Sequence, residues 1–364
     1  MEDAHPSGIP RSCGAPADDV SAKPPIRRLV AFAHYDRDSI IDEYVVKYLR
    51  GLRQIADEIV FVSDCYLNDG ELAKLQGLAK CVHAARHGEY DFGSWKRAIE
   101  FCGARLSEFD ELILANDSCY GPAFPLDRIF AVMASRGFDF WGITQHELNR
   151  KGFRRHLQSY FLVLRKPVFT SEVFRVFLET ISLQQSKRQV IELYELGLTA
   201  KLEEAGYAWG SWVEFRPGEN PTCASDFMTR GLLCGSCPFV KVSLLRDNPY
   251  KVAHVHLWRL FFTDESMRRA TESHITRISG EDDPACWHYV LPTFRFAPLG
   301  RYGPIVYAKN RKLWLWTLGL RLLGLTFVYV PIFLPRFLRT YFERRATQSM
   351  RSALRNRHLK TAGL

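Results

Sequence analysis

The sequence has few cysteines, no apolar run near its start and no glycine-rich phosphate loop. Nine cysteines among 364 residues are too few for a disulfide scaffold, and a hydrophobic fraction of 47% excludes disorder of the whole chain. Because residues 1–25 are polar and rich in Pro and Gly, we expect no signal peptide there, and cysteines that stay reduced in a cytosol. Neither GxGxxG nor GxxxxGK[ST] occurs, which excludes the two common phosphate loops.

One CxxC pair, Cys234 and Cys237, is a motif found in metal-binding sites. Cys223, His254 and His256 are near it in the sequence, but their spacing differs from that of the usual zinc ribbons and fingers. We therefore interpret the cysteines as small core residues, with zinc as the minor alternative.

Acidic side chains are nearly absent from the C-terminal part. Residues 301–364 contain 13 Lys or Arg and one acid, Glu343, whereas residues 1–300 contain 36 basic and 39 acidic side chains. The formal charge of +9 is thus a property of the tail. A nucleic-acid partner is the weakest explanation for this charge, because no nucleic-acid-binding motif accompanies it.

The same part contains a long apolar run at residues 313–335. It is long enough to cross a bilayer, but Arg321 lies inside it and Pro331 and Pro335 interrupt it. A single crossing would also export an arginine-rich tail, against the positive-inside tendency. We predict an amphipathic or apolar helical segment lying on anionic lipids at the cytoplasmic membrane face. A true span and a core helix remain the alternatives.

Short apolar runs alternate with amphipathic stretches from residue 28 onward. Strands are predicted at 29–33, 58–63, 81–84, 111–115, 139–144 and 159–164, and helices at 40–55, 71–79, 92–106, 168–181 and 190–205. This alternation predicts an α/β domain with a mainly parallel sheet, in which ligands bind at the carboxyl ends of the strands.

Polar side chains follow four of these predicted strands. They are His34 and Asp36 after the first, Asp64 after the second, Asp91 after the third, and Asn116, Asp117 and Ser118 after the fourth. A single aspartate after a strand is more often a turn former or a helix cap, but together these residues predict a site. A sheet without a glycine-rich loop can neutralise a diphosphate with a divalent cation, Mg²⁺ or Mn²⁺, held by aspartates.

Eight segments, spread over about residues 29–245, carry a family resemblance. They are HYDRDSIIDEYVVKYLRGL, IVFVSD, EYDFGSWKRAI, ELILANDSCYGP, DFWGIT, HLQSYFLVLRKPV, YELGLTAKLEEAGY and PFVKVSLL. With these segments the chain resembles the rhamnan synthesis protein F family, bacterial glycosyltransferases of cell-surface polysaccharide assembly. The resemblance implies a GT-A-like Rossmann-type fold and a nucleotide-sugar donor, which the family's name suggests is dTDP-L-rhamnose.

The resemblance also implies roles for single residues. The strand end at 114–117 is similar to a metal-binding DxD segment, in which Asp117 is kept as the cation ligand and Ala115 replaces the first acid. The segment from Tyr90 to Gly93 is similar to the one that closes on the donor's base and ribose. The full set of implied donor contacts is His34, Asp36, Asp64, Asp91, Asn116, Asp117 and Ser118.

The implied catalytic base is Glu195. It lies near the start of the predicted helix 190–205, which Gly206 and Tyr207 close, as in inverting glycosyltransferases, although the usual acidic pair is reduced to one residue. An ordinary exposed helix residue is the alternative interpretation of Glu195. Inversion needs such a carboxylate near the acceptor hydroxyl and positive charge near the leaving diphosphate. The candidates for that positive charge are Arg154, Arg155 and Lys241.

Three residues are predicted to contact the acceptor: Trp141, Gln158 and Ser159. Trp141 precedes Gly142, and an aromatic face beside a small residue suits stacking on a sugar. A core tryptophan is an equally good interpretation of Trp141, and Gln158 and Ser159 can instead simply open a strand.

The resulting prediction is a glycosyltransferase at the cytoplasmic face of the bacterial inner membrane. It would move a deoxyhexose, L-rhamnose, onto a lipid-linked polysaccharide or lipopolysaccharide acceptor with inversion. The alternatives are a different nucleotide-sugar donor and a non-catalytic scaffold of polysaccharide assembly. The predicted organisation is a flexible leader (1–26), a catalytic domain (27–248), an aromatic-rich extension (249–304), membrane-associating helices (305–345) and a basic tail (346–364).

Overall fold

A computed structural model describes residues 26–146, 155–213, 237–249, 255–279, 305–308 and 328–331. Its main sheet has a parallel half of four strands: β1 (Arg28–His34), β2 (Glu58–Ser63), β3 (Cys81–Ala84) and β4 (Glu111–Asn116). They are ordered β3-β2-β1-β4, so that β1 is paired on both sides. The polar residues that follow these strands therefore lie at one edge of the sheet.

The other half of the sheet is mixed. It consists of β6 (Phe140–His146), β7 (His156–Leu157), β8 (Phe161–Arg165) and β9 (Trp209–Val213). Strand β8 lies between β4 and β6 and is antiparallel to both. Because Phe161 pairs with Ala115, the residues just before β8 lie at the edge where β4 ends.

Helices cover both faces of the sheet. The α-helices are α1 (Glu43–Arg53), α2 (Asp69–Ala73), α3 (Tyr90–Cys102), α4 (Asp127–Ser135), α5 (Lys166–Phe169), α6 (Glu172–Glu179), α7 (Lys187–Val190), α8 (Leu196–Glu204), α9 (Val242–Arg246) and α10 (Glu265–Ser279). Strand β1 shows how the two cores form, because alternate side chains point to opposite faces. Val30 and Phe32 join the core that contains α1, whereas Leu29, Ala31 and Ala33 join the core that contains α3.

Two shorter features position site residues. Strand β5 (Cys119–Tyr120) follows the turn after β4 and pairs antiparallel with β10 (Val240–Lys241), with Lys241 opposite Cys119. A π-helical turn, Ile191–Glu195, joins α7 to α8. Turns of this kind are rare in proteins, and those that occur are often found at functional sites.

The predicted α/β class with a mainly parallel sheet is confirmed. Strands β2 and β3 have the predicted bounds, and the other four predicted strands are shifted at their ends by one to two residues. The predicted helix 168–181 is divided into α5 and α6, and the predicted helix 190–205 includes the π turn. Elements β5, β7, β9, β10, α4, α9 and α10 were not predicted.

Residues from the predicted aromatic-rich extension pack in the same core as α1. Trp258, Phe261 and Ile275 belong to that core, so α10 is continuous with the α/β fold in its packing. The predicted leader and most of the predicted membrane segment lie outside the described residues. Within that segment, β11 (Ile305–Ala308) and β12 (Val328–Pro331) form a parallel pair of strands at positions predicted to be helical. None of the described helices is long and apolar enough to cross a bilayer.

Candidate functional site

Three of the predicted donor residues form a hydrogen-bonded row at the end of β4. The Asn116 amide donates from Nδ2 to Asp91 Oδ2 at 2.8 Å. Its Oδ1 accepts from Ser118 Oγ at 2.6 Å and from the Ser118 backbone N–H at 3.1 Å. Asp91 is in the first turn of α3, so this row joins the end of β4 to the helix that follows β3.

Lys241 extends this row to a positive charge. Its Nζ donates to Ser118 Oγ at 2.8 Å and lies 4.7 Å from the centre of the Tyr160 ring. The β5–β10 pair fixes this position, because the Val242 N–H also donates to the Ser118 carbonyl at 2.9 Å. Of the three predicted sources of positive charge, Lys241 is therefore at the site. Arg155 instead packs over Trp209, and Arg154 lies outside the described residues.

Asp117 is held by the backbone just after β1 and by an aromatic side chain of α1. Its Oδ2 accepts from the Tyr35 N–H at 2.8 Å, and its carbonyl accepts from Tyr44 Oη at 2.9 Å. His34 Nε2 lies 3.9 Å from the same carboxylate oxygen. Burial lowers the pKa of His34 to about 4, so the imidazole is neutral at pH 7.

The electrostatics of Asp91 and Asp117 suit a cation. Burial, and after it the neighbouring Asp91, raise the pKa of Asp117 well above its usual range. Burial also raises the pKa of Asp91, against the opposing effect of Lys187 and Lys241. Two carboxyl groups that resist ionisation together are stabilised as carboxylates by a divalent ion, and their oxygens are the ligands that Mg²⁺ and Mn²⁺ prefer. The two carboxyl groups are therefore suitable ligands for the predicted cation at Asp117, with Asp91 as the second acid.

A different cluster has ligand atoms grouped as in metal sites: Asp36, Asp42 and His274. Here Arg277 Nη2 already donates to Asp36 Oδ2 and to Asp42 Oδ2, each at 2.5 Å. Asp36 also accepts from the backbone N–H groups of Asp38 and Ile40. The Asp36 carboxylate thus fixes the loop after β1 to α10, and its predicted contact with the donor stays a prediction.

Asp64 has a comparable structural role. Its Oδ1 accepts from the backbone N–H groups of His87 and Gly88 at 2.6 and 2.8 Å, which fixes the loop between β3 and α3. Within this loop region Tyr90 has a φ of 58°, a backbone strain of the kind that clusters at functional sites. Gly93 has no room for a side chain, because an added Cβ would lie 2.3 Å from Glu89 Cβ.

Glu195 is the last residue of the π turn and lies near Asp91, one of the predicted donor contacts. Its Oε2 accepts from Ser159 Oγ at 2.7 Å, and its Oε1 lies 3.6 Å from His156 Nε2. Burial acts to raise the pKa of Glu195, but the contacts from His156 and Ser159 outweigh it, so the pKa lies below its usual range. Glu195 is therefore an ionised carboxylate at pH 7. It is near enough to Asp91 to contribute to the raised pKa of that group.

The three predicted acceptor residues have different environments. Ser159 contacts Glu195, and Gln158 Oε1 accepts from Thr144 Oγ1 at 2.7 Å beside it. Trp141 is 1% exposed and packs edge-on against Phe130 at 5.0 Å between ring centres. This burial corrects the predicted stacking role, because a ring enclosed in the core presents no face to a sugar.

Three residues at or near the site had no assigned role in the sequence interpretation: His156, Lys187 and Arg277. His156 was the most accessible of these to prediction, because it lies three residues before Ser159 at the start of the segment HLQSYF. The positions of Lys187 and Arg277 depend on long-range packing that has no local signal. Of the candidate zinc ligands considered above, Cys237 and the backbone of His256 lie within the described residues, and the others lie outside them.

Solved structures match this chain at low similarity. A protein described as a nucleotide-diphospho-sugar transferase from Desulfovibrio desulfuricans G20 is 14% identical with a TM-score of 0.32, covering 52% of this chain and 80% of that one. Core-mannan synthase A from Aspergillus fumigatus is 11% identical with a TM-score of 0.30, covering 48% and 70%. The 4-diphosphocytidyl-2C-methyl-D-erythritol synthase of Anaerococcus prevotii is 10% identical with a TM-score of 0.32, covering 53% and 91%. Likenesses at this level do not identify a substrate.

Family comparison is more informative. Among curated proteins no relative matches this chain significantly. The model of the family described as rhamnan synthesis protein F matches residues 59–278, from β2 through almost all of α10. The match covers more than half of the sequence, and the chain therefore belongs to the rhamnan synthesis protein F family and is a glycosyltransferase.

Proposed function

We propose that this protein transfers L-rhamnose from dTDP-L-rhamnose, with inversion, onto a lipid-linked polysaccharide or lipopolysaccharide acceptor. The observation that carries the proposal is the ionised Glu195 carboxylate beside the row from Asp91 to Lys241. A candidate base, Glu195, and a positive charge, Lys241, are thus close together at the edge of the sheet where ligands of α/β proteins bind. Family membership supports the glycosyltransferase activity and the choice of sugar.

On the donor side, the proposed diphosphate contacts are Ser118, Asn116 and the ammonium group of Lys241. Lys187 adds positive charge, as its effect on Asp91 indicates. Asp117 and Asp91 would hold a divalent cation, which when bound would stabilise the negative charge of the leaving diphosphate. His34 Nε2 lies 3.9 Å from Asp117 Oδ2 and, being neutral, adds no charge of its own to the site.

On the acceptor side, Glu195 takes the proton. The acceptor oxygen forms a bond to C1 of the sugar from the face opposite the diphosphate, and the bond from C1 to the diphosphate oxygen breaks. The electron pair of that bond leaves with the nucleoside diphosphate, and the hydroxyl proton moves to the Glu195 carboxylate. Ser159 and Gln158, at the same edge, are the proposed neighbours of the acceptor sugar.

We expect a thermal-shift panel to identify the donor. The purified protein would be heated with dTDP, UDP, GDP or CMP, each with Mg²⁺, Mn²⁺ or EDTA. A ligand that binds only the folded state stabilises it by RT ln(1 + [L]/Kd), about 2.7 kcal/mol at a hundredfold excess over Kd. The expected result is the largest shift with dTDP, reduced by EDTA and by Asp117→Asn.

The matched control is Asp127→Asn, an exposed aspartate in the first turn of α4. It should leave the dTDP shift unchanged. A larger shift with UDP or GDP would replace the proposed donor with another nucleotide sugar. A flat panel with all four nucleotides would favour the non-catalytic scaffold, for which the reduced DxD segment at Ala115 is the motivating feature.

The proposed place of action is the cytoplasmic face of the bacterial inner membrane. A lipid-linked acceptor is held at the bilayer, so an enzyme anchored there meets it at a high effective concentration. We expect the full chain to sediment with vesicles containing phosphatidylglycerol, less so at high salt, and a chain ending at residue 304 to stay in solution. Equal sedimentation of the two chains would refute a membrane role for the basic C-terminal segment.

A further inference from the structure

The buried imidazole of His156 lies directly behind Glu195. Strand β7 pairs antiparallel with the end of β6, which places His156 opposite His146. The Leu157 N–H donates to Thr199 Oγ1 at 3.2 Å, so β7 is also fixed to α8, the helix that follows Glu195. The side chain of His156 is 2% exposed, and it therefore reaches Glu195 from the protein interior.

The two oxygens of the Glu195 carboxylate have different partners. Oε2 accepts a hydrogen bond of 2.7 Å from Ser159, and Oε1 faces His156 Nε2 at 3.6 Å. The longer contact is outside ordinary hydrogen-bond range. Contacts of this kind in enzymes without substrate are often long and tighten when the substrate binds. The pair restricts rotation of a carboxylate that would otherwise turn freely about its last bond.

We propose that His156 is a positioning residue for the general base, directing the Glu195 carboxylate toward the acceptor hydroxyl through Oε1 while Ser159 holds Oε2. The inference rests on the proposed role of Glu195 as base. His156 does not touch the substrate, because it is buried beneath the carboxylate. A base must meet its proton at about 2.6–3.2 Å, so a small rotation of Glu195 lowers the rate without loss of the donor site.

The charge state of Glu195 agrees with this role. The pKa of a buried glutamate is ordinarily raised, whereas the contacts with His156 and Ser159 lower that of Glu195. The titratable groups that face or influence Glu195 are His156 from β7, Lys241 from β10 and Asp91 from α3, with His146 of β6 next to His156 at 5.5 Å between ring centres. Loss of the His156 contact should raise the pKa of Glu195, so that a smaller fraction is ionised at a given pH.

Two substitutions of His156 separate positioning from packing. His156→Phe keeps the ring volume and removes the nitrogen, and His156→Gln keeps a donor N–H near the Nε2 position. In transfer from dTDP-L-rhamnose to a membrane-extracted acceptor, we expect kcat to fall about 30- to 100-fold in His156→Phe, with the donor KM within about threefold. The acid limb of its pH profile should move to higher pH. His156→Gln should retain kcat within about fivefold of the natural protein.

The matched control is Thr199→Val, which loses the bond between α8 and β7 but leaves both partners of Glu195 in place. It should lower the melting temperature without changing the pH profile. Equal kcat in His156→Phe and the natural protein, or equal loss in His156→Gln and His156→Phe, would overturn the proposal. His156→Asn provides a second test of the missing contact if the phenylalanine variant does not fold.

A measurement that needs no sugar transfer separates failure of the His156 proposal from failure of the proposed function. The pKa of Glu195 can be followed by ¹³C NMR of the labelled carboxyl group in the natural protein and in His156→Phe. A rise in the variant supports the contact, and an unchanged pKa refutes it, whatever the activity. If the natural protein transfers no sugar from any donor while this pKa still rises, the proposed function fails and the His156–Glu195 contact stands.

Discussion

Replacement of Glu195 by glutamine is expected to lower kcat about 10³-fold, a loss of about 4 kcal/mol of transition-state stabilisation. Glutamine has nearly the same shape and can still accept the hydrogen bond from Ser159, but it cannot take the acceptor proton. Donor binding should change little, because the bonds among Asp91, Asn116, Ser118 and Lys241 do not include Glu195. The measurement is sugar transfer together with the nucleotide-induced thermal shift on the same variant.

Glu192 offers a matched control within the same π turn. Its side chain is 50% exposed and pairs only at the surface with Arg188, at 2.8 Å. Glu192→Gln should retain the natural kcat and lose no more than about 0.5 kcal/mol of stability. If Glu192→Gln and Glu195→Gln were equally active, Glu195 would not be the base, and another group would have to accept the proton.

The parallel half of the sheet could be predicted because its signals are local. The run 58–63 is a buried apolar strand, and the polar groups after it and after β1 and β4 mark where each strand ends. Parallel strands bring those ends to one edge, so Asp91, Asn116 and Ser118 were expected to be neighbours, and the row of hydrogen bonds joins them. Local pattern and topology agree here.

The cationic end of the row depends on a contact between distant parts of the chain. Lys241 is 123 positions from Ser118, and only the pairing of β10 with β5 brings it there. Strand β5 has two residues, which is too short for a hydrophobic period to be visible. The sequence identifies Lys241 as one of three basic candidates, and only the fold shows that it lies at the site.

Asp36 and Trp141 show what local sequence patterns leave undecided. Asp36 has the same local position after a strand as a ligand-binding aspartate, yet Arg277 in α10 neutralises it from 241 positions away. Trp141 precedes a glycine, as a stacking residue would, yet Phe130 and Phe161 enclose its ring. In both cases residue type and spacing were compatible with two roles, and the contacts that the side chain makes depend on long-range packing.

Loss of Arg277 should destabilise the fold strongly. Its guanidinium contacts Asp36 and Asp42 at 2.5 Å and Asp38 at 2.8 Å, and its side chain is 23% exposed. Arg277→Met keeps much of the side-chain volume but leaves two mostly buried carboxylates facing each other. We expect the free energy of unfolding, measured in urea at pH 7, to fall by about 3 kcal/mol, since breaking one side of a buried ion pair leaves uncompensated charge.

The pH dependence should identify the cause of that loss. Burial acts to raise the pKa of Asp36, and the bond to Arg277 and the Ile40 amide lower it below its usual range. A carboxylate whose folded pKa is lowered adds stability above its unfolded pKa and loses it as the pH falls through the folded pKa. Without Arg277, burial should raise the pKa of Asp36, and burial already raises the pKa of Asp42. The difference between Arg277→Met and the natural protein should therefore be largest near pH 7 and shrink as the pH falls and these carboxylates become protonated.

Arg269 is the matched control for this substitution, on an exposed position of the same helix. Its side chain is 80% exposed, and its pair with Glu265 at 3.4 Å is at the surface, so Arg269→Met should cost less than about 0.5 kcal/mol at any pH. Equal, small losses in the two variants would show that α10 is held by its apolar face alone. A large, pH-dependent loss confined to Arg277→Met would mean that the ion pairs fix the loop after β1. Because the Tyr35 N–H in that loop binds Asp117, the donor KM of the variant should then rise as well.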